Sequence, residues 1–443
     1  MLDFLQVFRR QLKDLPTSQC QRLAMYASTK VTFLVAICAD ANMALTMYRS
    51  SINKGADMRP IDLLKACVFQ SIPEADQERW GIEWDRLERE LSPTTADGRP
   101  AGKDLLSELC GHLTLILLGR FGVTNSAFSD VQDVFNYAAG RLGPAGMAGA
   151  PFMERVLQPF AQAFRELHSG RAGRGAASQR VSYHLRSLRR FMAAGKAYAE
   201  ELIPTALLLL FLHSEQRLSD DRLLTALEQL EALALASNLC KWTKKVRRER
   251  CLAVLAGLGY GCGTPQLQPQ RQHGQLALPE ALQLSPDEKR ALLEALDGPL
   301  YARSAGLSEP VLLRLNEFIL QRSGRDYVQY EESSTELTVE HVLPQKPAAA
   351  WWDDFTAEEH AAWVGRLANL ALLASKKNSG AGNQDFQAKK AAYVEKLMVG
   401  SLNIPLTDDI RICERWTPAV LQQRQRMLLD HATACWRLHS TQH

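Results

Sequence analysis

The sequence predicts a mainly α-helical protein that carries a small strand, strand, helix finger late in the chain. Two observations predict it. Through most of the 443 residues, apolar side chains recur at three- and four-residue intervals, the spacing that gives a helix one buried stripe. Only in "RDYVQYEESSTELTVEHVL", residues 325–343, does the period change, with Tyr, Val and Thr alternating with polar residues as in a half-buried strand.

The length suits about three domains of ordinary size, each able to bury a core. A helical region over 1–137, a second helical domain over 138–275 with basic clusters, and a third over 276–443 with the finger and C-terminal helices are expected. Hydrophobic residues at 46% and charged residues at 23% exclude a disordered or fibrous chain. A net charge of +3 is too small to identify a nucleic-acid partner, so local charge clusters must carry that question. The nine cysteines are scattered, with no C-x2-C or C-x4-C pair, which is the pattern of reduced thiols rather than of a zinc site or disulfide framework.

The most apolar run, "LIPTALLLLFL" (202–212), is broken by Pro204 and Thr205 and falls short of the roughly 20 residues needed to span a bilayer. The N-terminal "MLDFLQVFRRQLKDLP" is amphipathic and acquires charge at once, unlike a secretory signal. A soluble, cytoplasmic protein without membrane contact is expected.

Element by element, Leu2, Leu5, Val7, Phe8 and Leu12 begin a helical pattern, and "KVTFLVAICADANMALTMYRS" continues it. After turn signals in "NKGADMRP", the stretch "PIDLLKACVF" restarts a helix with Pro60 at its head and Asp62 in its first turn, where an acid suits the helix dipole. "AAGRLGPAGMAGAP" (138–151) and "HSGRAGRGAASQR" (168–180) read as a turn and a loop, three or four further helices follow, and "GYGCGTPQLQPQRQHGQ" (259–275) reads as a linker. In "SPDEKRALLEALDG", Ser285, Pro286 and Glu288 form a capping-box start. "EPVLLRLNEFILQRS" adds a helix before the strands, and helical periodicity returns in "NQDFQAKKAAYVEKLM" and "WTPAVLQQRQRMLLDHATACW".

The stretch "LTVEHVLPQ" (337–345) places a carboxylate and a histidine in an apolar strand. Alone, it favours a strand with a buried histidine. Downstream, "RLANLALLASKKNSGAGNQDFQAKKAAY" (366–393) gives an apolar strand holding Asn369, then a loop with Lys376, Lys377, Asn378 and Asn383, then a helix. That order is the layout of a ββα-metal nuclease finger. Phosphodiester hydrolysis needs a base to deprotonate water and a cation to take up charge on the leaving oxygen. A neutral histidine, His341, suits the first task. The oxygens of Glu340 and Asn378 suit a hard ion, Mg2+ with Mn2+ as substitute. Strand alternation separates Glu340 from His341 unless the strand breaks there, and Pro344 offers such a break. Asn369 would hold the loop or the imidazole by hydrogen bonding.

These residues resemble an HNH endonuclease, with Glu340 and His341 as its first motif, Asn369 as the middle asparagine and Asn378 as the third-position ligand. The closer resemblance is to the C-terminal nuclease domain of GmrSD-type, modification-dependent restriction proteins. Their signature runs EHI-x-PQ, a Trp, GNL-x-LL, a loop Asn, N-x-x-F-x-x-K-x-x-Y and W-x-x-x-x-I-x-x-R. This chain has "EHVLPQ", Trp351 and Trp352, "ANLALL", Asn378, "NQDFQAKKAAY" with Phe386, Lys389 and Tyr393, and "WTPAVLQQR" with Trp416 and Arg424. Ala368 stands where the family has Gly. The likeness covers about residues 310 to 436 and implies a Mg2+-dependent DNA endonuclease acting on foreign, modified or phage-derived double-stranded DNA. In weaker form, "ALTMYRSSINKGADMRPIDLLKACVF" (44–69) resembles the end of the family's ParB-like domain. The DGQQR-type motif of that domain is absent, which implies a truncated variant or a separate partner chain that handles nucleotide.

Beyond the resemblance, His341 and Asn369 are the expected catalytic pair and Glu340 and Asn378 the expected metal ligands. Lys376, Lys377, Lys389, Lys244, Lys245, Arg247 and Arg248 are expected phosphate contacts, against the bland alternative of a solvated face. Arg180, Arg186, Arg189 and Arg190 form a second basic cluster of the same kind. Asn383, Phe386 and Tyr393 are read as structural support, with Asn383 as a helix N-cap and Phe386 as a core anchor. No P-loop is present, and "GLGYGCG" (257–263) lacks a preceding strand, so no nucleotide site is assigned. The other reading of the whole chain is a DNA- or partner-binding subunit whose finger is silent.

Overall fold

The structure is a computed structural model that describes residues 12–13, 15–30, 43, 60–92, 104–120, 149–173, 178–194, 199–259, 271–272, 275–323, 337–374, 383–397 and 404–439. The chain forms two compact units, 1–164 and 165–443, and is mainly helical. The boundary expected near residue 275 lies inside the second unit.

In the first unit, α1 spans Thr17–Lys30, α2 Pro60–Gln70, α3 Glu74–Leu91 and α4 Leu105–Arg120. Helix α2 starts at Pro60 with Asp62 in its first turn, as expected. Helix α3 buries Trp80, Trp84, Leu87 and Leu91, an i, i+4, i+7 stripe that meets α4, and Trp84 takes the edge of Phe69 at 6.1 Å. At Gly149, φ is +60° and a Cβ would lie 2.7 Å from the Ser71 carbonyl oxygen, so only glycine fits that turn. Helix α5 (Gln158–Ser169) carries the chain into the second unit.

The second unit begins with α6 (Ser178–Ala194), α7 (Ala199–Ser214), α8 (Asp220–Leu239) and α9 (Lys244–Leu258). The apolar run expected to be too short for a membrane is α7, buried from Ile203 to Leu212 among its neighbours. No described helix is long and apolar enough to cross a membrane. A two-residue strand pair, β1 (Arg271–Gln272) with β2 (Gln275–Leu276), precedes the region where strands were first expected. Residues 324–336 of that region lie outside the described residues.

Then come α10 (Pro286–Asp297), α11 (Leu300–Arg303) and α12 (Ala305–Arg322). Helix α10 opens on the expected capping box: Ser285 accepts from the Glu288 amide and Glu288 accepts from the Ser285 amide. Strand β3 (Leu337–His341) pairs antiparallel with β4 (Leu370–Ala374), Glu340 opposite Ala371 and His341 opposite Leu370. Between them lies α13 (Ala357–Trp363); after them come α14 (Phe386–Leu397), α15 (Pro405–Ile412) and α16 (Pro418–Cys435). Helix α12 packs on α6, α15, α16 and both strands, so it joins the middle helices to the finger.

Helix α12 is also tied to α6 and α8 by buried charge. Glu231 accepts from Arg314 Nε and pairs with His184 Nδ1, both at 2.8 Å, and Arg190 donates to Glu317 at 2.7 Å. Burial opposes the Glu231 carboxylate, yet Arg314 and then His184 hold its pKa below the ordinary value. Arg186 lies buried over the Tyr183 ring. These contacts correct the reading of Arg186 and Arg190 as DNA contacts: their guanidinium groups turn inward to carboxylate and ring. Substituting Arg314→Leu leaves Glu231 buried without its main partner, and urea unfolding is expected to show a loss of about 3–5 kcal/mol. A loss under about 1 kcal/mol, the range of exposed pairs, would show that the network carries no such load.

Candidate active site

Strand β3 ends on His341, and the chain leaves it as a loop that the rest of the finger grips. Asn369, fully buried between the last 3-10 turn and β4, makes that grip. Its Oδ1 accepts from the Leu343 amide at 2.7 Å and from Trp416 Nε1 at 3.2 Å, and its Nδ2 donates to the Leu343 carbonyl at 2.9 Å and the Val364 carbonyl at 3.0 Å. Of the two bonds expected of Asn369, the structure makes the one to the loop; its side-chain partners are Leu343, Val364 and Trp416. Asn369 is therefore a positioning residue.

The surroundings of Asn369 are equally committed. The Ala368 amide donates to Gln425 Oε1 at 2.8 Å, while Arg424 Nη1 donates to the carbonyls of Ala368 and Leu370 and Nη2 to that of Leu406. Burial lowers the Arg424 pKa to about 10, so it stays charged at neutral pH, stacked 6.0 Å from the Trp416 ring. Trp416 lies parallel to Phe386 at 5.5 Å, and Trp351, edge-on to Phe386, donates Nε1 to the Gln384 carbonyl at 2.9 Å. Val342, Leu343, Trp351, Phe355, Phe386, Tyr393 and Trp416 share one core, as expected of Phe386 and Tyr393.

His341 is half-buried, its ring edge-on to Tyr301 at 4.3 Å and its Nε2 3.5 Å from Gln345 Nε2. Burial, reinforced by the Lys389 charge, lowers its pKa to about 4, so the ring is neutral at pH 7. His360 fixes the loop from outside, its Nε2–H donating to the Pro344 carbonyl at 2.9 Å. Neither Tyr301 nor His360 is marked in the sequence. Tyr301 reaches His341 across a gap of 40 positions, and His360 has no partner at ligand spacing.

Glu340 meets α14. Its Oε1 accepts from Lys389 Nζ at 2.7 Å and from the Tyr393 hydroxyl at 3.4 Å, and Lys389 Nζ also donates to the His341 carbonyl at 2.7 Å. Lys389 is 1 % exposed, and burial lowers its pKa although Glu340 pulls the other way. This corrects Lys389 as a phosphate contact: its four-carbon stem points into the finger, where Glu340 neutralises it. Register also corrects the role expected of Pro344. Strand pairing continues through His341, so Glu340 and His341 leave on opposite faces and the break comes after both.

Asn378, Lys376 and Lys377 lie outside the described residues. Asn383 is exposed, and the cap expected of it belongs to Asp385, whose Oδ1 accepts from the Ala388 amide at 2.9 Å, directly before α14. Of the distant cluster, Lys244 and Lys245 are exposed and Arg248 is half-buried, whereas Arg247 is buried with Nε 3.2 Å from Glu201 Oε2. Arg247 is thereby also corrected from a phosphate contact to an internal ion pair. Among the described residues, no three His, Cys, Asp or Glu side chains gather to hold a metal.

Residues 304–431 match the family described as GmrSD restriction endonucleases, C-terminal domain. This segment is similar to the C-terminal domain of GmrSD-type restriction endonucleases. The likeness read from "EHVLPQ", "ANLALL" and the Trp416 to Arg424 stretch is borne out over nearly the expected range. No curated protein matches the chain. The GmrSD-type segment points to a nuclease function and to DNA as substrate.

Replacing Asn369 with Ala strands buried partners at Leu343, Val364 and Trp416. Denaturant unfolding is expected to show a loss of about 3 kcal/mol, with faster hydrogen exchange at the Leu343 amide. Unchanged protection at Leu343 would remove the clamp. For His341, an NMR titration of the ring is expected to give a midpoint near 4 in the free protein. The unfolded state then binds the extra proton between that value and the ordinary 6.5, so this group's contribution to stability falls as pH drops through the window.

Proposed function

We propose that the chain is a Mg2+-dependent DNA endonuclease of the HNH type, acting in restriction of foreign or modified DNA, phage DNA included. The observation that supports this most is the Asn369 clamp, which spends a buried amide on the backbone of Leu343, two residues after His341, inside the GmrSD-like segment. A loop held this firmly next to a half-buried, neutral histidine is the arrangement a general base needs.

In this reading His341 takes the proton of the attacking water. A base with a pKa near 4 is weak, and the negative charge of a bound phosphate raises it toward the working range. Glu340 fits a divalent ion in chemistry: its Oε1 is engaged by Lys389 and Tyr393, and no described residue bonds Oε2, a hard oxygen suited to Mg2+ or Mn2+. Water and Asn378, which lies outside the described residues, would complete the ligands. The ion, when bound, supplies charge stabilisation at the leaving oxygen. Among the described residues β3 pairs as a strand only with β4, and in this reading one phosphodiester lies across the end of β3, where it meets His341 and Glu340. Lys376 and Lys377, next to Asn378 in the sequence, and the exposed Lys244 and Lys245 are the proposed backbone contacts. A separate ParB-like chain would supply nucleotide handling.

Two observations favour the second reading, a DNA- or partner-binding subunit with a silent finger: Lys389 neutralises Glu340, and Glu340 and His341 leave β3 on opposite faces. Cleavage separates the two readings. With Mg2+ or Mn2+, the purified protein is expected to cut modified or unmodified phage DNA, and His341→Ala to cut it at least ~100-fold more slowly. A protein that cuts no DNA, and binds it equally in EDTA, would establish the silent reading instead.

A further inference from the structure

Two side chains four residues apart on α14, Lys389 and Tyr393, converge on one oxygen of Glu340. Helical spacing puts them on one face, and the turn between them brings both to β3. Lys389 does more than pair with the carboxylate. The same Nζ is 2.7 Å from the carbonyl of His341, so one ammonium bridges the expected metal carboxylate and the backbone of the expected base. With 1 % exposure it has no solvent to screen it or to release it to. A charge so placed is costly without its partner.

We propose that Lys389 is the internal counter-ion of Glu340, neutralising the carboxylate and anchoring the end of β3 until a divalent cation shares that charge. Oε1 stays with Lys389, which leaves Oε2 as the single oxygen Glu340 offers a cation. The finger is thereby assembled before any cation arrives, and cation affinity in the free protein is held down by a positive neighbour. The pairing stands on geometry alone, while the identity of the cation rests on the nuclease reading.

A stability cycle tests it, using unfolding temperature in EDTA and in millimolar Mn2+. In EDTA, Lys389→Met is expected to unfold roughly 5–10 °C below the wild type, because Glu340 is left without its counter-ion. The double variant Glu340→Gln/Lys389→Met is expected to recover most of that loss. Mn2+ is expected to restore Lys389→Met and leave the double variant unmoved. In direct Mn2+ titration, Lys389→Met is expected to bind at least about tenfold tighter than the wild type, since a like charge a few ångströms away is gone. Equal destabilisation of the single and double variants would overturn the pairing, and an equal Mn2+ affinity of wild type and Lys389→Met would overturn its role toward the cation. Lys389→Arg keeps the charge and is expected to respond to Mn2+ as the wild type does. A wild type that cuts no DNA would sink the nuclease reading and leave the EDTA arm of the cycle standing, so the two failures are distinguishable.

Discussion

The side-chain amide of Asn369 is the interaction on which the finger depends. It is fully buried, and its two polar atoms reach three parts of the chain: both bond the loop after β3 at Leu343, Nδ2 also donates to the turn before β4, and Oδ1 also accepts from the indole just before α16. An unpaired amide there would cost far more than the pairs contribute, so the sites that satisfy it are locked to one another. The backbone on either side of Asn369 is held by Arg424 and Gln425 of α16. The distance from His341 to the C-terminal helix is thus crossed by hydrogen bonds rather than by loose packing. Where His341 sits follows from where Asn369 is clamped.

A second constraint concerns charge. Many of the cations face inward, each to a carboxylate: Arg314 to Glu231, Arg190 to Glu317, Arg247 to Glu201 and Lys389 to Glu340. Within α9, Arg247 is buried while Lys244 and Lys245, in the first turn, are exposed. The positive surface available to a phosphate backbone is smaller than the sequence density of Arg and Lys implies. Among the described residues of the cluster at the start of α9, Lys244 and Lys245 are the exposed members of the expected contacts.

Much of this was legible in the sequence, for physical reasons that can be named. The capping box at Ser285 and the helix opening at Pro60 are local, written within four residues, and both are present. The EHVLPQ strand and the ANLALL strand announce themselves by β-branched and leucine alternation, and they pair. The roles of Asn383 and Lys389 were not legible. Choosing Asp385 over Asn383 as the cap depends on where α14 begins, a matter of two residues. The direction of Lys389 depends on Glu340, 49 positions away, and an exposed and a buried lysine look alike in a sequence. Tyr301 reaches His341, and His360 reaches Pro344, only through the tertiary fold.

The most direct test of metal and phosphate binding at the end of β3 is a crystal of the His341→Ala protein with duplex DNA and Mn2+, read by anomalous scattering. A Mn2+ peak about 2.2 Å from Glu340 Oε2 is expected, with a phosphate at the end of β3 beside His341 and Lys389 still on Oε1. DNA bound elsewhere, or a Glu340 whose two oxygens carry only Lys389 and Tyr393 with no anomalous peak beside them, would contradict it.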